Sequence, residues 1–169
     1  MIDRRNLTLA GIGAAVAAAA AALTRSGSQE AVAASGTFEI TKSDDEWRKL
    51  LTPEQHYVLR KHGTERAGTS PLDKEYGPGT YACAGCDLPL FSSKTKFDSR
   101  TGWPSFYAPL DNAVGTTSDR NWGMLRTEVH CRRCGGHLGH VFEDGPKPTG
   151  LRYCMNGVAM KFMPDGKSS

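Results

Sequence analysis

Residues 83–86 read CAGC and residues 131–134 read CRRC, and these two CxxC motifs decide how the chain folds. Each motif presents two sulfurs to one metal ion, so the pair predicts a closed tetrahedral zinc site. Its ligands would be the four cysteines Cys83, Cys86, Cys131 and Cys134. The 44 residues between the motifs exceed the spacing of a simple zinc ribbon, so the ion would connect distant parts of the domain. Because four thiolates saturate one Zn²⁺, we expect a structural rather than a catalytic metal.

Two other uses of a CxxC pair are open. A redox CxxC usually begins a helix in a thioredoxin-like βαβ unit, and neither pair has that pattern around it. Structural disulfides suit an exported protein, but a disulfide within one CxxC is strained. Spacing and context favour zinc over both alternatives.

The size and charge of the chain limit the possible functions. Its 169 residues have room for one domain and a leader. The formal net charge is only +3, and no block of Lys or Arg follows the leader. Binding to nucleic acid therefore has little support, and we expect none. We also expect a monomer.

The N-terminal residues resemble a twin-arginine export signal. Arg4 and Arg5 precede an uncharged, alanine-rich run, and AVA at residues 31–33 supplies the small residues that a signal peptidase reads. We predict an export signal at residues 1–33, recognised by the twin-arginine translocase and cut by signal peptidase, and a flexible segment at residues 34–42. The protein would then reside in the bacterial periplasm or another extracytoplasmic location. The alternative is an uncleaved membrane anchor, because the run is near the lower length limit for a spanning helix.

Helix signals and then strand signals follow the leader. Ser43 or Asp44 can cap a short helix. TPEQ at residues 52–55 combines a capping hydroxyl, a proline at the first helical position and a glutamine three residues after the cap, so it begins a second helix that ends at Gly63. From Gly77 onward, turn residues separate runs of strand length. We expect two short helices followed by a compact, mostly antiparallel β domain.

Cys154 has no partner once the other four cysteines are assigned to the metal. A buried core cysteine is the commonest fate of a free thiol, and a nucleophile is the alternative. Arg152 and Asn156 lie two residues to either side, on the same face if this is a strand. The arginine would favour the thiolate, so the pattern indicates a nucleophile.

Two further motifs contain candidate functional side chains. HLGH at residues 137–140 places two histidines three residues apart, directly after the second CxxC. Since four thiolates already satisfy the metal, His137 and His140 are left as acid/base or hydrogen-bonding groups, although a structural role is as well supported by this motif alone. GWPSF at residues 102–106, taken alone, would be core or surface packing.

Taken together, the motifs resemble the B-type peptide methionine-(R)-sulfoxide reductases. CxxC, GWPSF, CxxCGGHLGHVF, EDGP and RYCxN occur in this order across residues 44–164. Each motif is weak alone, but five in order are very specific. The resemblance implies a mainly β fold, with two antiparallel sheets forming a compact barrel-like domain, short N-terminal helices and the four-cysteine zinc site. Residues 43–169 would be the reductase domain.

The resemblance also implies catalytic roles. Cys154 would attack the sulfur of methionine sulfoxide in oxidised proteins and be left as a sulfenic acid. His140 and Asn156, with His137 nearby, match the positions that hold and protonate the sulfoxide oxygen. The result would be repair of oxidatively damaged proteins.

Four other positions have implied roles around this centre. Trp103 and Phe106 would bind the substrate. Trp103 matches the aromatic wall that contacts the S-methyl group and selects one sulfoxide epimer. Arg152 and Asp144 match supporting positions around the thiolate and the histidine.

The sequence departs from the family pattern at Thr101. Many members have a resolving cysteine at this position, immediately before GWPSF. With four cysteines on zinc, no second free thiol exists here, so we predict a one-cysteine cycle in which a thioredoxin-like protein or a small thiol attacks the sulfenic acid.

Two other classes of function are less well supported by the sequence. A zinc-binding module without catalysis would make Cys154 a packing residue. In a thiol-based peroxide sensor, peroxide would oxidise Cys154. Peroxide needs no pocket for a methyl group, however, and Trp103 would form such a pocket.

Overall fold

The computed structural model describes residues 38–120 and 123–166, and it begins with two short helices. α1 is Asp44–Leu50 and α2 is Pro53–Lys61. Both begin with a complete capping box, from Ser43 in α1 and from Thr52 in α2. Each box satisfies backbone groups that an isolated first turn leaves unpaired. The two predicted helices and their caps are confirmed.

The rest of the described chain is mainly β, as predicted. Its strands are β1 (Gly79–Cys83), β2 (Pro89–Ser92), β3 (Lys96–Phe97), β4 (Ser105–Phe106), β5 (Val114–Asp119), β6 (Arg126–Cys131), β7 (His137–Phe142), β8 (Arg152–Met155) and β9 (Met160–Pro164). They form a three-stranded sheet in the order β2-β1-β9 and a six-stranded sheet in the order β3-β4-β8-β7-β6-β5. All neighbouring strands are antiparallel.

The barrel-like closure that we expected is wrong for the described residues. The larger sheet ends at β3 on one side and at β5 on the other, and these two strands do not pair. A barrel requires its edge strands to meet and hydrogen-bond. β3 contains only two residues, so it offers little backbone for such pairing.

The core contains aromatic and aliphatic side chains from both sheets and from α2. Phe106 is completely buried, stacks on Phe91 with ring centres 4.4 Å apart and meets the edge of Tyr81. The prediction that Phe106 binds substrate is therefore wrong, because its ring has no exposed surface. Its role is packing between strands of the two sheets.

The register of three strands determines the surroundings of Cys154. In β8, Cys154 pairs with Ser105 of β4 on one side and with His140 of β7 on the other. β7 and β8 approach closely at Gly139, where an added Cβ would overlap the carbonyl oxygen of Cys154. After β8, residues 157–159 form a single 3-10 turn that leads into β9.

The predicted export signal at residues 1–33 lies wholly outside the described residues. Within residues 38–120 and 123–166, no helix is both long and apolar enough to cross a membrane. The described end of the predicted flexible segment has specific contacts. The Ile40 N–H donates to the Arg133 carbonyl at 3.0 Å, and the Phe38 ring packs against His130.

Candidate active site

The four cysteines of the CxxC motifs meet in one cluster. Their sulfurs all lie within 4.8 Å of one another, with 3.7 Å between Cys83 and Cys134 and 3.5 Å between Cys86 and Cys131. A tetrahedral Zn²⁺ with Zn–S bonds of about 2.3 Å separates its sulfurs by about 3.8 Å. All five cysteines are free thiols. The cluster therefore fits the predicted structural zinc site.

Cys154 lies outside this cluster, partly exposed at the centre of the larger sheet. The Thr101 hydroxyl is 3.9 Å from its sulfur, and Ser99 bonds to both Thr101 and Ser105. Burial raises the pKa of the Cys154 thiol, while the Thr101 hydroxyl and the charge of Arg152 act in the opposite direction. Arg152 thus favours the thiolate as predicted, although burial has the larger effect.

Arg152 and Asp144, the two predicted supporting residues, form an ion pair. Two parallel hydrogen bonds of 2.8 Å join the guanidinium to the carboxylate. The guanidinium also lies over the Phe142 ring, 4.4 Å from its centre. Bidentate pairing fixes the orientation of an arginine fork. Asp144 therefore holds Arg152 in place beside Cys154.

His137 is fixed by a carboxylate that the sequence did not single out. Its Nδ1 lies 2.7 Å from Oε1 of Glu128, and both side chains are buried. Burial alone would raise the pKa of Glu128, but hydrogen bonds from His137 and His62 hold it well below its usual value. Because an ionised carboxylate only accepts, Nδ1 of His137 carries the proton and Nε2 remains for the site.

His140 has a similar arrangement with a different carboxylate. Its Nε2 lies 2.8 Å from Oδ2 of Asp119, which also accepts a hydrogen bond from Arg126. Burial lowers the pKa of His140, and the Asp119 hydrogen bond opposes this only in part. The rings of His137 and His140 meet edge to face, with centres 5.4 Å apart. The two histidines and Cys154 therefore share one region of the sheet.

Asn156 is buried, and both polar atoms of its side chain bond to backbone. Its Nδ2 donates to the Leu138 carbonyl at 3.0 Å, and its Oδ1 accepts from the Glu65 N–H at 2.9 Å. These bonds connect the end of β8 with β7 and with the segment after α2. A role for this amide in holding the sulfoxide oxygen stays a prediction.

Trp103 is partly exposed, and Glu65 fixes its indole. The indole N–H donates to the Glu65 carbonyl at 3.1 Å. The Glu65 carboxylate accepts from the N–H groups of Gly157 and Val158 at 2.6 and 2.9 Å. Burial raises the pKa of Glu65, and these two backbone bonds act against that rise. Glu65 thereby joins the predicted substrate wall to the turn after Cys154.

Sequence reasoning missed Glu65, Glu128 and Asp119, although each holds a predicted site residue. Each acts on a strand or turn remote from its own segment, and no local spacing signals such a contact. Ser105 could have been identified from the sequence. It lies inside the GWPSF motif, and strand alternation places it on the opposite face from Phe106.

Comparisons with known proteins identify the family of this chain. The SelR domain family matches residues 51–164. The peptide methionine sulfoxide reductase MsrB of Leptospira interrogans is 55% identical over 129 residues, covering 76% of this chain and 98% of the relative. Those of Agrobacterium fabrum and Pseudomonas putida strain W619 are 56% and 58% identical over 127 residues, covering 75% of this chain and 94% and 96% of the relatives.

The fold, the site and these matches define an oxidoreductase of the methionine sulfoxide reductase class. The chain belongs to the MsrB family, and the SelR domain accounts for most of its described residues. The family resemblance stated from the motifs is confirmed.

Replacing Glu65 with Gln tests its anchoring role. The new amide N–H₂ would face a backbone N–H of Gly157 or Val158, so we expect a loss of about 1–3 kcal/mol in the free energy of unfolding. The displaced turn and indole should also raise KM for sulfoxide. Urea unfolding and steady-state kinetics measure both effects. Glu54→Gln, at an exposed position in α2, is the matched control. Equal unfolding free energies for the two variants would contradict the role.

Proposed function

We propose that this enzyme reduces the R epimer of methionine sulfoxide in proteins, with Cys154 as the nucleophile. The observation that carries the proposal is the strand pairing, which places Cys154 between His140 and Ser105 inside an MsrB domain, with the Thr101 hydroxyl 3.9 Å from the Cys154 sulfur. Repair of proteins damaged by oxidative stress follows from this activity.

The chemistry assigns one role to each group. The Cys154 thiolate attacks the sulfoxide sulfur, and the oxygen must gain a proton because the attack leaves negative charge on it. His140, with His137 and Asn156 nearby, supplies the hydrogen bonds and the proton. The attack forms an S–S bond, and the protonated oxygen then moves from the substrate sulfur to Cys154 as this S–S bond breaks, which leaves Cys154 as a sulfenic acid and releases the thioether. Arg152, aligned by Asp144, stabilises the thiolate that begins the reaction.

Selection of the R epimer is assigned to Trp103. An indole fixed at its N–H presents a rigid apolar face, and such a face accepts an S-methyl group in one orientation only. The bond from Trp103 to the Glu65 carbonyl supports this role, because it prevents rotation of the ring.

Recycling is assigned to an external thiol. The Thr101 hydroxyl lies 3.9 Å from the Cys154 sulfur at the position where many family members have a resolving cysteine, and the remaining four cysteines lie in the metal cluster. A thioredoxin-like protein or a small thiol would attack the sulfenic sulfur, releasing water and forming a mixed disulfide, and a second thiol would then release Cys154.

The four-cysteine cluster is proposed to hold one Zn²⁺. Its sulfur spacing supports this assignment. The saturated ion would stabilise the connection between the sheets, and the residues of the reaction lie elsewhere.

The protein is further proposed to be exported as a monomer. Arg4, Arg5 and the alanine-rich run support recognition of residues 1–33 by the twin-arginine translocase and cleavage by a signal peptidase. The enzyme would act in the periplasm, or from the membrane if the signal stays uncleaved.

Stereospecific turnover tests the activity. With dithiothreitol as reductant and dabsylated methionine sulfoxide as substrate, we expect loss of the R epimer only. Cys154→Ser should lower kcat by at least about a thousandfold, because it removes the nucleophile. Elemental analysis of the same sample should give one zinc per chain. Turnover of the S epimer, or full activity in the serine variant, would refute the proposal.

Trapping the oxidised enzyme tests the one-cysteine cycle. After one turnover without reductant, the protein should react with dimedone at Cys154, and mass spectrometry should find no internal disulfide. Thr101→Cys is the matched variant, because its thiol would replace the hydroxyl 3.9 Å from Cys154 and should form a disulfide instead. A disulfide between Cys154 and any native cysteine, with zinc retained, is the contradicting result.

Changing the arginine pair tests export. Replacing Arg4 and Arg5 with lysines should leave the protein in the cytoplasm, because the translocase reads the paired arginines. Cell fractionation and immunoblotting measure the distribution, with Arg25→Lys as a charge-matched control outside the pair. Unchanged export of the double variant would remove this assignment.

A further inference from the structure

Outside the cysteine cluster, two histidine side chains meet at one carboxylate oxygen of Glu128. Oε1 of Glu128 lies 2.9 Å from Nδ1 of His62 and 2.7 Å from Nδ1 of His137. The two imidazole rings are 5.2 Å apart from centre to centre. The three potential ligand atoms all lie within 4.8 Å of one another.

Each of these side chains is positioned by a different element. His62 follows α2 directly and has a left-handed backbone with φ of 55°. Its side chain is 59% exposed, whereas those of Glu128 in β6 and His137 at the start of β7 are buried. The cluster therefore has two fixed interior ligands and one ligand that solvent, and an ion in solvent, can reach.

Two imidazoles and a carboxylate are a favourable ligand set for divalent transition metals. Zn²⁺ binds imidazole nitrogen at about 2.0–2.1 Å and carboxylate oxygen at about 2.0–2.2 Å, and three protein ligands leave one position open. Tetrahedral geometry at these lengths separates the ligand atoms by roughly 3.3 Å. The present N–O distances need to widen by only about half an ångström, and the ion would replace the two Nδ1 protons.

We propose that His62, Glu128 and His137 bind a divalent transition-metal ion, for which Zn²⁺ is the reference, and that the bound ion inhibits the reductase. Binding depends only on these three residues. Inhibition rests on the proposed function, because it requires that His137 belong to the reaction site.

The position of His137 explains why binding would inhibit. Its ring contacts His140, and His140 pairs with Cys154 across the sheet. A metal on Nδ1 places a divalent charge beside this pair and replaces the proton that His137 donates to Glu128.

Titration calorimetry tests the binding. The titrant is ZnCl₂. The protein is the full chain with Cys154→Ser, so that no free active-site thiol competes for the metal. The zinc content per chain is measured before the titration. We expect one further ion per chain. Adding the substitution His62→Gln should lower the affinity for this further ion at least about a hundredfold, because a direct ligand is lost. His56→Gln, which removes a histidine bonded to Asp44 instead, should leave binding unchanged. No further ion, or equal binding with His62→Gln, would overturn the site.

Activity in the presence of Zn²⁺ tests the inhibition. With Cys154 intact, micromolar Zn²⁺ should lower the turnover of the native enzyme severalfold relative to its own metal-free rate, and it should leave the rate of the His62→Gln enzyme unchanged relative to its own metal-free rate. Calorimetric binding without this difference in inhibition would overturn the inhibitory role and keep the site. If no variant turns over methionine sulfoxide under any condition, the proposed function fails, and the calorimetric result still decides the site.

Discussion

The contact between the two CxxC turns is the constraint on which the rest of the structure depends. One turn follows β1 in the smaller sheet, and the other lies between β6 and β7 in the larger sheet. The two sheets share no strand. A metal ion bound by the four cysteines would therefore link them directly through its metal–thiolate bonds. The second turn leads directly into His137. The position of the cluster therefore sets where β7 begins and, through pairing with β8, where Cys154 lies.

A second constraint is the compensation of buried charge. Three predicted site residues are each held by an oppositely charged or hydrogen-bonding partner from another element: His137 by Glu128, His140 by Asp119, and Arg152 by Asp144. Burying these groups alone would cost several kcal/mol each, so the partners make a partly dry site possible. The same partners fix which ring nitrogen faces the reaction. The contacts that stabilise these buried groups are therefore the same contacts that orient them for the proposed reaction.

Features encoded by local spacing could be predicted from the sequence, and features that depend on distant pairing could not. The capping boxes and the CxxC ligands each follow from a few adjacent residues. The same is true of Cys154, which lies outside both CxxC motifs. The roles of Glu65, Glu128 and Asp119 arise only when remote segments meet. Phe106 was misassigned because GWPSF was taken as a unit, while strand alternation sends Ser105 and Phe106 to opposite faces. Barrel closure was misjudged because the length of an edge strand is set by tertiary pairing.

Gly139 shows how closely the fold and the site are related. A glycine within a strand weakens it by roughly 0.5–1 kcal/mol relative to alanine, because the unfolded chain has more freedom to lose. Here no larger residue is possible without movement, since a Cβ would overlap the Cys154 carbonyl oxygen. Any separation of β7 from β8 would move His140 away from Cys154, because the two residues are direct partners in this ladder. The small loss of strand stability at Gly139 is therefore the physical condition for bringing His140 and Cys154, the proposed proton donor and nucleophile, together.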